Sequence, residues 1–164
     1  MDGITFLKRA ERCLDAASRT LDSDEKFFLH VEAVILTATA VECEVNWALF
    51  RRVLNTSDVV HRRYLNEITK RFVRARIREK LEFLLQVYPC LKTTSKERGC
   101  LKRLFDLRNL AVHATPELVE PDHTSPVQDR QQLELVSKNG ISGVFGAFSL
   151  MGTARIFVER LLSV

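Results

Sequence analysis

Residues 24–54 read DEKFFLHVEAVILTATAVECEVNWALFRRVL, an uninterrupted run without Gly or Pro. Its apolar positions recur at helical spacing. One ridge runs Phe27, Val31, Ile35, Ala38, Val45 and Leu49, and a second adds Val34, Val41 and Ala48. The stretch is therefore expected to form one long helix over 24–54. Asp22-Ser23-Asp24-Glu25 supplies the cap before it, and Asn55-Thr56-Ser57-Asp58 both ends it and caps the next helix. Glu42 falls on the first ridge, four residues after Ala38. A carboxylate on an apolar stripe is costly unless it is paired.

Working outward, residues 3–21 form an earlier helix through Ile4, Leu7, Cys13, Leu14, Ala17 and Leu21. Residues 59–87 form a third helical stretch, kinked or split, whose core face is Leu65, Ile68, Phe72, Ile77, Leu81 and Leu84. Its other faces carry Arg62, Arg63, Lys70, Arg71, Arg74, Arg76, Arg78 and Lys80, and Pro89 terminates it. Lys92 to Gly99 reads as a polar connection. A fourth helix starts near Lys96 or Cys100, buries Leu101, Leu104, Phe105 and Val112, and ends at His113. Residues 116–130 hold three prolines among acids and hydroxyls and read as loop. Asn139-Gly140 between apolar runs predicts a small β-hairpin over about 131–147, and residues 148–163 close the chain as a helix. The expected architecture is a single all-α domain, 1–164: an up-and-down helical bundle with a hairpin before the C-terminal helix.

The chain has 164 residues, 46% of them hydrophobic and 28% charged. That composition suits a globular domain with a core of its own and excludes a disordered chain. No run is long and apolar enough to span a bilayer, and no apolar segment follows the first charges. These features predict a cytoplasmic protein with no membrane partner. Cys13, Cys43, Cys90 and Cys100 offer no close ligand pair, so reduced thiols and no metal or cofactor are expected. The net charge of +4 is unevenly spread. Residues 61–113 hold 14 bases and 5 acids, while both flanks are net acidic. A local excess of this size attracts polyanions. Arg71, Arg74 and Arg78 are the candidates for tracking an RNA backbone; a plain solvated face is the alternative use of the same charges. Trp47, on the less apolar flank of the long helix, reads as a packing or dimer residue.

The fourth helix ends Leu107-Arg108-Asn109-Leu110-Ala111-Val112-His113. Asn109 and His113 are four apart and share a face, whereas Arg108 stands roughly 140° from His113 and lines up with Leu101, Phe105 and Val112. One helix therefore cannot aim Arg108 and His113 at one point, but two copies meeting about a two-fold axis can. The residue types suit RNA strand scission without a metal. His moves protons near neutral pH, Arg holds charge in a planar fork that matches phosphate oxygens, and Asn orients or binds through a neutral amide.

The R-N-x-x-x-H arrangement of Arg108, Asn109 and His113, late in an all-helical domain of this size, resembles the HEPN superfamily. Glu42 stands where many HEPN domains carry a polar or acidic residue. The resemblance implies a homodimeric bundle with a composite cleft, and metal-independent endoribonuclease activity in a toxin–antitoxin or phage-defence setting. Arg108 and His113 would then be catalytic, Asn109 would complete the cleft and Glu42 would support it, with RNA as substrate and an antitoxin or defence protein as partner. Where one branch of the family has a modified tyrosine two residues after the histidine, this chain has Thr115. Plainer roles stand beside the catalytic ones: His113 as a cation at a helix C-terminus, Glu42 as the buried ion-pair partner of Arg108 or of a neighbouring base, and the whole as a non-catalytic HEPN module that binds RNA, a nucleotide or a partner protein.

Overall fold

A computed structural model describes residues 2–73, 75–113 and 144–163, apart from the side chains of Phe72, Val73, Leu110, His113 and residues 144–148. Every element among the described residues is a helix: α1 (Gly3–Arg19), α2 (Ser23–Leu54), α3 (Val59–Val73), α4 (Ile77–Val87), α5 (Ser95–His113) and α6 (Val144–Leu162). No described helix is long and apolar enough to cross a membrane.

The 24–54 run is one helix, as its period requires, and it is the spine of the molecule. At 32 residues, α2 packs against all five other helices. Small side chains let them approach: Ala33, Ala38, Ala40 and Ala48 are buried beside Val34, Val41, Val45 and Leu49. Asp22 caps α2 by accepting from the backbone N–H groups of Asp24 and Glu25 at 2.8 and 3.0 Å, which satisfies two of the orphan donors of the first turn. The burial differs from the two ridges in one respect. Phe27, Val31 and Ile35 are only partly covered, while His30, Thr37 and Glu44 are buried.

Helix α1 lies along α2 through Leu7, Ala10, Leu14 and Ala17. It stops at Arg19, so Leu21 falls in the turn and is exposed rather than part of the stripe. The approach is closest at its start. Gly3 donates its backbone N–H to the buried Glu44 Oε1 at 2.8 Å, and a Cβ there would lie 2.5 Å from Glu44 Cγ and 2.8 Å from the Ala40 carbonyl oxygen. The N-terminal end of α1, with its positive end of the helix dipole, is thereby seated on a buried carboxyl group.

The 59–87 stretch is split. After α3, Arg76 is extended (φ −63°, ψ 146°) and α4 begins at Ile77; its Lys80 and Leu84 are buried where α4 packs on α2. Tyr88 ends α4 and donates its hydroxyl to the Ala48 carbonyl of α2 at 2.8 Å.

Helix α5 begins at Ser95, beside the earlier of the two expected starts, Lys96 and Cys100. Thr94 and Glu97 form a capping box: Thr94 N–H donates to Glu97 Oε2 at 2.7 Å, and Glu97 N–H donates to Thr94 Oγ1 at 3.1 Å. Glu97 also pairs with Arg160 of α6 at 2.8 Å. The Thr94 N–H bond, followed by Arg160, holds the Glu97 carboxyl below its usual range. The box turns Ser95–Gly99 into helix where composition alone suggests a connection. Leu101, Leu104 and Phe105 are buried as expected, whereas Val112, near the end of the helix, is exposed.

The expected loop 116–130 and most of the expected hairpin 131–147 lie outside the described residues. Residues 144–147, assigned to the returning strand, are instead the first turn of α6. Leu150, Ala154, Phe157, Val158 and Leu161 bury α6 at helical spacing, and extending that helix upstream continues its hydrogen-bond ladder at no new nucleation cost.

Candidate functional site

Three helices contribute to one charged cluster. Glu42, from the middle of α2, places Oε2 at 3.0 Å from Arg108 Nη2 of α5 and Oε1 at 2.7 Å from Lys80 Nζ of α4. The sequence anticipates the Glu42–Arg108 pair, since both residues sit on otherwise apolar stripes. It does not single out Lys80, which stands four residues before the core residue Leu84 and is itself fully buried. Position on that stripe is the signal that could have separated Lys80 from the other bases of its stretch.

One carboxylate between two cations leaves the cluster with positive charge in excess. Among the described residues, the bond to Glu42 is the one hydrogen bond of Arg108, whose guanidinium also stands 5.8 Å over the Phe105 ring. Its side chain is 30% exposed. A guanidinium carries five N–H donors, and the bond to Glu42 holds Arg108 by one of its terminal nitrogens.

Asn109, next along α5, is exposed and turns to a different side, into a cleft of about 620 Å³ between α4 and α5. His113 is the last residue of α5, about 7.5 Å further along the axis than Arg108. The backbone of a single helix thus carries Arg108, Asn109 and His113. Of the bases expected to contact RNA, Arg78 lines the same cleft and pairs with Glu82 at 3.1 Å. Arg71 is exposed on α3, outside the described lining of that cleft. Arg74 lies outside the described residues.

The cleft also brings in Arg76, Arg98 and Lys102, which sequence reasoning did not single out. No spacing marks them, because the cleft lies between two helices that are brought near each other by packing on α2. The described residues contain no group of three or more His, Cys, Asp or Glu placed to hold a metal ion. Trp47 is half exposed and stacks on Phe50, ring centroids 5.7 Å apart. No protein-family model, curated protein or solved structure matches this chain.

Proposed function

We propose that this chain is a metal-independent endoribonuclease of the HEPN type, working as a homodimer. The observation that carries the reading is Arg108 anchored by Glu42 on the helix that also bears Asn109 and ends at His113. Anchoring by a carboxylate fixes the guanidinium before substrate arrives, so less ordering is needed at the moment of reaction.

In the reaction, a ribose 2′-oxygen attacks the adjacent phosphorus and the 5′-oxygen leaves. His113 takes the 2′-OH proton, and the departing 5′-oxygen takes a proton from water or from the partner's His113. Arg108 stabilises the charge that builds on the non-bridging oxygens, and Asn109 orients the phosphate or an imidazole. The nucleophile belongs to the substrate, so neither a metal-bound water nor a covalent enzyme intermediate is required. The products carry 2′,3′-cyclic phosphate and 5′-hydroxyl ends. A toxin–antitoxin or phage-defence setting, with an antitoxin or defence protein as partner in the cytoplasm, comes from the same family reading.

A second reading draws on the same ion pair. With Arg108 committed to Glu42 as a structural residue, the chain is a non-catalytic HEPN module that binds RNA, a nucleotide or a partner protein. Purified protein incubated with RNA in EDTA separates the two. Cleavage that is lost in both Arg108→Ala and His113→Ala supports the nuclease. Cleavage that needs magnesium or survives both substitutions refutes it, and RNA binding without turnover selects the module.

A further inference from the structure

The cleft between α4 and α5 has a composition that its volume alone does not require. Among the described residues its rim carries four cations, Arg76, Arg78, Arg98 and Lys102, and two carboxylates, Glu82 and Asp106. Glu82 is occupied by Arg78. Arg76, Arg98 and Lys102 lie outside the core, and none of the three has an ion-pair partner among the described residues. Between the rims the wall is apolar. Ile77, Leu81 and Leu85 recur every four residues along α4, none of them fully buried, and Phe105 closes the floor from α5. Asn109 stands exposed at the cleft, one residue from Arg108.

From this juxtaposition we infer that the α4–α5 cleft is a groove for single-stranded RNA that brings the strand to Asn109. The rim cations meet backbone phosphates, and the apolar wall takes the faces of unpaired bases. A cationic track with a sequence-tolerant apolar platform is the combination by which proteins hold single strands. A duplex would keep its bases stacked away from the wall, and a purely electrostatic site would have no use for one. About 620 Å³ is in the range that small-molecule sites occupy, enough for one or two nucleotides. The inference deepens the nuclease reading and relies on it only for choosing RNA among polyanions.

The test measures binding without cleavage. A fluorescent 2′-O-methyl oligouridine of about ten nucleotides keeps its phosphates and bases but has no free 2′-OH. Its anisotropy is followed in EDTA with the intact chain. Arg98→Glu/Lys102→Glu is expected to weaken binding at least about tenfold and to flatten the dependence of affinity on salt. The same charge reversal on α1, Lys8→Glu/Arg9→Glu, is expected to change affinity less than about threefold, because α1 packs on α2 and α6 away from the cleft. All four side chains are exposed, and matching melting curves confirm that every variant is folded.

Failure of the wild type to bind, equal weakening by both double variants, or no weakening by the cleft variant each overturns the groove. Oligoglutamate of equal charge binding as tightly as the oligouridine overturns the assignment to nucleic acid. Cleavage of unmodified RNA is scored separately. Charge-sensitive binding without cleavage keeps the groove and removes only the nuclease, while cleavage by a chain whose binding ignores Arg98 and Lys102 does the reverse.

Discussion

Lys80 Nζ and Glu42 Oε1 lie 2.7 Å apart across the α2–α4 contact, but they do not share the same environment. The lysine side chain is 2% exposed and the glutamate side chain 31%. The ammonium has been taken out of water and depends on Glu42 for compensation, whereas Glu42 keeps contact with solvent and has its second oxygen on Arg108. Lys80 therefore acts through Glu42 on Arg108. On the nuclease proposal it would be a positioning residue two steps from the substrate, and the shared carboxylate compensates a base on a buried stripe.

This asymmetry sets the order of two substitutions. Glu42→Gln leaves a buried ammonium without its counter-charge and should cost roughly 2–4 kcal/mol of stability, below a fully buried pair because Glu42 is partly solvated. Lys80→Met removes the charge that needs compensating, fills nearly the same volume and should cost less. Urea denaturation of the two variants decides. Lys80→Met emerging as the more damaging change would contradict the description.

Gly3 is fixed by proximity. A methyl group there meets Glu44 and the Ala40 carbonyl, so Gly3→Ala should destabilise by about 1–3 kcal/mol, as overpacking does. Pairing it with Glu44→Ala should give less than the sum of the single losses, since the second change empties the space the first one fills. Additive losses in melting experiments would show that the two sites do not touch.

His30 is buried with neither ring nitrogen partnered among the described residues. Burial first, and the Lys26 charge second, lower its pKa below the ordinary 6.5. The unfolded chain therefore takes up a proton that the folded chain refuses. This part of the stability is complete above about pH 6.5 and declines as pH falls from there toward the folded value. His30→Leu should flatten the dependence between about pH 5 and pH 7.5. A variant with the wild-type slope would assign the effect to another group.

Subunit mixing tests the proposed composite site. Arg108→Ala and His113→Ala, each inactive alone, should regain a measurable fraction of RNA cleavage when mixed and allowed to exchange. A heterodimer holds one cleft with an intact arginine from one protomer and an intact histidine from the other. Activity from a strictly monomeric chain would exclude this arrangement.

The helices are legible in the sequence because their signals are local. The apolar period of α2, the cap at Asp22 and the stop at Pro89 act within a few residues of where they stand. Glu42 is legible as a group needing a partner, because a charge on a stripe is visible without knowing what covers it. Composition leaves the start of α5 open between Lys96 and Cys100, because Thr94 and Glu97 matter as a reciprocal cap and not as two polar residues. Val144 to Ala147 mislead for a related reason: Asn139-Gly140 marks a turn but does not specify the conformation of the residues beyond it.

Sequence by itself determined that this chain is a bundle built on one long helix, that its middle third is basic, and that Arg108, Asn109 and His113 share a helix. Each of these is a property of period or composition along one strand of chain. Only the tertiary structure decided which base of the middle third is buried, that Glu42 serves both Lys80 and Arg108, and that Arg76, Arg98 and Lys102 rim one cleft. Those facts depend on how α2, α4 and α5 cross, and the crossing is set by side-chain packing between segments far apart in the chain, where no local spacing rule reaches.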